Sequence, residues 1–192
     1  VINLSDVFGD SDQTNKFVTR YLQSTHCDLF FADAAILVEG VAESMLLPHF
    51  IRSKFPELYQ RYITILGVNG RHAHRLSPLI EKLCLPTLVI TDLDPAEKEG
   101  YHKSVVPKRG EGQISGNYAI AKWLMKEKDI DKLVDYSEDK KEFSFASPYR
   151  FSIRLAYQTP VKVDFEGEEK EAIPGTFEDC LIYTNYDLFK KI

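Results

Sequence analysis

No apolar run in this chain is long enough to cross a bilayer, which takes about 18 to 20 consecutive apolar residues; even the clearest, AAILV (Ala34–Val38), is short. The stretch VINLSDVFGDSDQ lacks the basic-then-apolar order of a secretory signal, so the expected location is cytoplasmic. Cysteine is scarce: Cys27, Cys84 and Cys180 are odd in number, far apart and free of CxxC spacing, which excludes a disulfide framework and a zinc ribbon. They are expected to be reduced, mostly buried thiols. Positive charge is not in excess either, with 24 Lys and Arg against 29 Asp and Glu and a net charge of −5. That balance excludes a generic nucleic-acid coat, though not a nuclease, whose metal-holding carboxylates count as negative. There is no GxxxxGK[ST] phosphate loop, no internal repeat and no low-complexity tract.

What is present is a chain of 192 residues, 44% hydrophobic and 28% charged, enough for one domain, or a domain with an insertion, around a real core. Thr14–His26 carries Phe17, Val18, Tyr21 and Leu22 at helical spacing. Three apolar runs follow: Ala34–Val38, Tyr62–Val68 and Pro86–Pro95. They alternate with helical segments near Ala42–Lys54, where Pro48 predicts a kink or a split, and Ser77–Leu85. That alternation predicts an α/β fold with a mostly parallel sheet flanked by helices. The division expected is residues 1–26 as an N-terminal helix and linker, 27–95 with 148–192 as the main domain, and 96–147 as a largely helical insertion. The insertion would hold helices near Tyr118–Lys128 and over DIDKLVDYSEDKKEF. A strand is expected over Phe151–Val163, a loop over EGEEKEAIPG and a last helix over Thr176–Asn185.

The chemistry sits where apolar runs stop. AAILVEGVAESMLLPHF ends its strand at Glu39, turns on Gly40 and reaches Glu43 at a helix start; PTLVITDLDP ends in Asp92 and Asp94. In an open parallel sheet, ligands gather outside the carboxyl ends of the strands. On an extended strand end, residues i and i+2 share a side, which would present Asp92 and Asp94 together with Leu93 facing the other way. Glu39 and Glu43 would share a helix face. Four acids on one edge would repel and raise each other's pKa values, and a divalent cation resolves that conflict. All-oxygen ligands suit Mg²⁺ or Mn²⁺ rather than zinc. The same residues also admit a plain reading: Asp94-Pro95 as a turn initiator, and the glutamates as acids favoured by a helix N-terminus.

LVEG followed by Glu43, and then VITDLD, resemble the glutamate and DxD motifs of a Toprim domain. The ordered series THCDLFFADAAILVEG, AHRLSPLIEKL, PTLVITDLDP, GNYAIAKWL, IRLAYQTP and GTFEDCLIYTN is similar to the OLD (overcoming lysogenisation defect) family of ATP-dependent endonucleases, which includes the nuclease subunit of Gabija phage defence. The resemblance implies a Toprim fold and a metal-dependent DNA endonuclease. Glu39, Glu43, Asp92 and Asp94 would be metal ligands, Glu39 also an acid/base, and Asp92 with Glu39 the catalytic pair. Glu178 and Asp179 would complete a second metal site. Two Mg²⁺ or Mn²⁺ ions are implied, with Ca²⁺ as a non-catalytic substitute. ATP enters only through an N-terminal ATPase domain outside this chain, and the full-length protein would form a homo-oligomer acting on DNA. One departure stands out: the family's catalytic lysine lies well beyond FED, and Lys190 and Lys191 are too close to Glu178 to match it. The chain therefore looks like part of a longer protein.

Arg71, His74 and Arg75 in RHAHR, and Lys103, Lys108 and Arg109 in HKSVVPKR, are the candidate DNA contacts, although such runs are commonly plain solvated surface. Thr176 is also a candidate N-cap with Glu178 and Asp179 in the first helical turn, and Ser115 and Asn117 candidate caps for the helix near Tyr118. Trp123 is expected to pack in the core. Two other functions fit the sequence: a topoisomerase- or primase-type Toprim enzyme, and a catalytically silent Toprim module used in assembly or partner binding.

Overall fold

The computed structural model describes residues 16, 27–68, 72–98, 104–146 and 148–191. The helix expected over Thr14–His26 lies, apart from Lys16, outside them. The strands are β1 (Ala34–Val38), β2 (Ile63–Gly67), β3 (Thr87–Ile90), β4 (Pro95–Ala96), β5 (Ile114–Ser115), β6 (Glu142–Phe145), β7 (Phe151–Ala156), β8 (Val161–Phe165) and β9 (Glu168–Ala172). The chain forms two compact units, one ending at Ile90 and taking in Glu142–Arg154, the other Thr91–Lys141 with the residues from Leu155 onward.

The first unit is built on the sheet β2-β1-β3-β7-β6. β1 runs parallel to β2 and β3, with Ile36 beside Ile65 and Leu88, and Val38 beside Gly67 and Ile90; β6 and β7 are antiparallel. The fold is thus the expected mostly parallel α/β sheet flanked by helices. The alternation of β1 explains its place. Ile36 and Val38 face Leu47 and Ile51 of the helix Val41–Lys54, together with Ile63, Ile65, Leu88 and Ile90, while Leu37, Leu66 and Val89 lie fully buried in one register layer on the other face. A strand buried on both faces reads as a continuous apolar run, and each such side chain stabilises by ~1.5–3 kcal/mol. A one-residue slip would exchange the two layers. The helix Val41–Lys54 stays continuous through Pro48 instead of splitting. Pro48 is exposed, so its ring and its missing N–H face solvent rather than the sheet.

The second unit departs more from the sequence pattern. The helix expected near Tyr118–Lys128 is a single π turn, Ala119–Trp123, with Trp123 half-buried; the acidic segment after it gives only the helix Ile130–Asp135 and a 3-10 turn, Glu138–Lys141. Asp129 caps the former by accepting from Lys132 N–H at 3.3 Å. The run Phe151–Val163 is two strands, not one: it breaks at Tyr157–Pro160, where Pro160 has no N–H to donate. EGEEKEAIPG is not a loop, because β9 pairs antiparallel with β8 across a Glu166-Gly167 turn with both residues at positive φ, as two-residue hairpin turns of this type require. Its strand character was hidden because both faces carry charge, with Lys162 against Glu169 at 2.5 Å and Lys170 beside Glu168 at 2.8 Å. All three cysteines are free thiols; Cys27 is exposed and Cys84 and Cys180 half-buried, so the expectation of buried thiols does not hold. Among the described residues no helix is long and apolar enough to cross a membrane.

Candidate functional site

In the first unit the strand order reverses between β1 and β3, the position where open α/β sheets receive ligands. Glu39 is the first residue past β1 there and is half-buried. Gly40 caps the helix Val41–Lys54 with its backbone alone, its carbonyl accepting from Ser44 N–H at 3.4 Å and Ser44 Oγ at 3.0 Å. A Cβ on Gly40 would run into the Glu43 carboxylate, with Glu43 Cδ at 3.2 Å. A side chain at position 40 would therefore have to displace that carboxylate. Glu43 is only 2% exposed, and its Oε2 has no hydrogen-bond partner. A buried carboxylate oxygen left without a donor is costly, and a bound cation is one of the few groups that would offset that cost.

In the second unit, Asp92 and Asp94 lie past the end of β3 rather than on it, since the strand stops at Ile90. Thr91 N–H still donates to Ala156 O at 3.0 Å. Leu93 is fully buried while both aspartates are half-buried, as the alternation predicted. Simple extended geometry nevertheless fails at Asp94, whose φ of 47° is left-handed, a conformation costing about 1–2 kcal/mol for a residue with a Cβ. Such strain persists only where surroundings enforce it. Here Asn117 Nδ2 donates to Asp94 Oδ2 at 3.1 Å, and Gly116 N–H donates to the Asp94 carbonyl at 2.9 Å. Asp92 Oδ1 accepts from Gln158 Nε2 at 2.5 Å and from Phe177 N–H at 3.0 Å.

That second bond ties the FED segment to the DxD segment. Thr176 is the N-cap of the helix Phe177–Thr184, as expected: its Oγ1 accepts from Asp179 N–H at 3.2 Å, while Asp179 Oδ2 accepts from Gly175 N–H at 3.1 Å. The result is close to a reciprocal capping box. Glu178 is exposed on the first turn and Asp179 half-buried. Asn117 stands just ahead of the π turn, whose N-cap is Tyr118 rather than Ser115 or Asn117; its Oδ1 accepts from Ala119 N–H at 3.0 Å, and its own N–H donates to Ser115 Oγ at 3.1 Å. Sequence reasoning missed Gln158, whose Oε1 accepts from Leu93 N–H at 2.8 Å. The only sequence signal was a glutamine just before Thr159-Pro160, where a strand breaks. Among the described residues, no three His, Cys, Asp or Glu side chains gather into a ready metal cluster.

The basic candidates are scattered. His74 and Arg75 lie half-buried on the 3-10 turn Ala73–Leu76, the His74 ring 6.4 Å from that of His72. Burial and the nearby Arg75 charge hold His72 below the usual histidine range. Lys108 is exposed. Arg109 is engaged by Glu171 at 2.6 Å and Asp135 at 2.8 Å, which raise its pKa further. Arg71 and Lys103 lie outside the described residues.

The fold is a mostly parallel α/β sheet flanked by helices, in agreement with a Toprim fold, and residues 30–94 match the family model described as Overcoming lysogenization defect protein-like, TOPRIM domain. The OLD resemblance thus rests on more than short motifs. Over most of its length, that segment included, the chain is similar to Endonuclease GajA of Bacillus cereus (strain HuB5-5), 28% identical over 175 residues, which cover 91% of this chain and 23% of that protein. The chain therefore spans about a quarter of the length of this curated relative. No solved structure matches this chain.

Proposed function

We propose that this chain is the Toprim nuclease part of a longer protein, hydrolysing phosphodiester bonds in DNA with Mg²⁺ or Mn²⁺ held by Glu39, Glu43, Asp92, Asp94, Glu178 and Asp179. The observation that carries this reading is the Asp92 carboxylate, which accepts from the first N–H of the helix bearing Glu178 and Asp179. That bond links the family's DxD acids to its later acidic motif within one unit. The partnerless Glu43 oxygen and the similarity to an endonuclease support it. Bound to such carboxylates, a pair of divalent ions supplies Lewis acidity toward a phosphoryl oxygen and a water acidic enough to attack at neutral pH. The chain's own part is to hold the acids in place and to move protons. Glu39, half-buried past the end of β1, is the proposed general acid/base, while Phe177 N–H, at a helix N-terminus, holds the Asp92 carboxylate in place by donating to it. An ATPase domain outside this chain would control access in the full-length protein, which is proposed to be a homo-oligomer.

The test is cleavage of supercoiled plasmid with Mn²⁺ or Mg²⁺, beside Glu39→Ala and Asp92→Ala variants whose folding is verified by circular dichroism. Nicking or linearisation by the wild type that both variants lose is the expected result. Variants that cut like the wild type would overturn the assignment of the acids. A wild type that neither cuts nor binds Mn²⁺ would favour the silent assembly module.

A further inference from the structure

We propose that Gln158 and Asn117 are positioning residues that fix the rotamers of Asp92 and Asp94 for metal binding, an inference that rests on the nuclease reading above. The need for them follows from the backbone. Past Ile90 the chain leaves the β3 ladder, so no strand geometry orients the two aspartates, and Asp94 stands in the left-handed region. Carboxylates on irregular backbone rotate freely unless something holds them, and metal ligands must be held to within about half an ångström of their productive geometry.

Each aspartate is met by one buried amide. Gln158, 6% exposed, uses both ends of its side chain on the DxD segment: Nε2 donates to Asp92 Oδ1 at 2.5 Å and Oε1 accepts from Leu93 N–H at 2.8 Å. With two bonds to consecutive residues it cannot flip, so the donor is always the atom facing Asp92. Asn117 is fully buried and similarly divided, its Oδ1 accepting from Ala119 N–H at 3.0 Å and its Nδ2 donating to Asp94 Oδ2 at 3.1 Å. The Oδ1 bond fixes the amide's orientation, and the π turn Ala119–Trp123 that follows is a rare conformation concentrated at functional sites.

The choice of a neutral amide has a chemical reason. A Lys or Arg here would neutralise the aspartates and compete with a divalent cation, whereas an amide donor orients a carboxylate and leaves its full negative charge for the metal. Hydrogen-bond partners of this kind typically change metal affinity or activity by 10- to 100-fold when removed. Both are non-ionisable, so their contribution is independent of their own titration.

The experiment is Mn²⁺ binding by isothermal titration calorimetry, with a melting temperature and a Mn²⁺ dependence of plasmid nicking for each variant. Gln158→Met keeps the side-chain length and loses both bonds; Asn117→Ser keeps a capping oxygen for Ala119 and cannot reach Asp94. Both are expected to weaken Mn²⁺ binding by about 10- to 100-fold and to regain nicking when Mn²⁺ is raised to match. Val163→Ala, a cavity change on β8 in the same unit, should lower the melting temperature while leaving Mn²⁺ affinity as in the wild type. Should Gln158→Met not fold, Gln158→Asn, which keeps the amide and shortens it by one methylene, reads the same quantity. Unchanged affinity in the variants at both positions, with binding lost in Asp92→Asn, overturns the positioning role and leaves the nuclease reading standing. If the wild type binds no Mn²⁺, or Asp92→Asn binds as tightly as the wild type, the nuclease reading itself fails and this inference with it.

Discussion

At the residue scale the sharpest constraint is Gly40. Its φ of −109° suits any residue, so the demand for glycine comes from the Glu43 carboxylate occupying the space a side chain would take. Gly40→Ala is therefore expected to displace that carboxylate and reduce plasmid nicking at least about tenfold, on the scale of lost ligand-supporting contacts. The cost to stability should be small, since an N-cap alanine lowers it by ~1 kcal/mol at most against glycine. Nicking beside thermal melting checks this, and a Gly40→Ala variant that cuts at the wild-type rate would remove Glu43 from the proposed site. The candidate acids were legible because each interrupts or ends an apolar run, and that pattern survives in a linear string. Asp94's left-handed backbone and the Gln158 bond to Asp92 were not. The first depends on Asn117 and Gly116, and the second joins residues 66 positions apart, a separation no local spacing rule can see.

At the scale of elements, the helix Phe177–Thr184 does two things with one terminus. Thr176 satisfies Asp179 N–H, and Phe177 N–H is left pointing at Asp92. Thr176→Ala is expected to cost about 1 kcal/mol through the lost cap and, by fraying that first turn, to lower nicking as well. Thr176→Ser should restore both, because its hydroxyl still accepts from Asp179 N–H. Paired melting and cleavage measurements decide it; a Thr176→Ala variant with reduced stability and full activity would mean that the helix start does not hold Asp92. The elements of the first unit were readable in advance because β1 is buried on both faces and its helix packs Leu47 and Ile51, one turn apart, against it. The β8–β9 pairing was not: VKVDF alternates apolar and polar, but its partner EEKEA carries charge on both faces and no common turn dipeptide joins them. The insertion misled in the opposite way. Its helix-forming composition predicts longer helices than tertiary packing allows: Asp129 and Tyr136, both extended, bound the helix Ile130–Asp135.

For the whole chain, charge bears on how the proposed DNA substrate would be held. The chain carries a net −5 and, of its candidate basic contacts, Arg109 is already shared between Asp135 and Glu171. A protein that grips DNA by its own cations neutralises many phosphates and shows a steep salt dependence, with a slope of about −0.9 per phosphate contact. A net-acidic chain with few such contacts would instead approach a polyanion through bound divalent ions. We expect DNA binding measured with Ca²⁺, the proposed non-catalytic substitute, to be lost on addition of excess EDTA, and the slope of log affinity against log monovalent salt to be shallow, near −2 to −3 for about two or three phosphates. Fluorescence anisotropy with a labelled duplex reads both quantities. Affinity that survives EDTA, with a steep salt slope, would place recognition on the basic residues, and Lys108 and Arg75 would then be the first side chains to replace. Affinity that vanishes with the metal would make the carboxylates serve binding as well as chemistry. In that case Glu43→Gln, which removes charge without changing shape, should weaken Ca²⁺-dependent DNA binding and Mn²⁺-dependent nicking together.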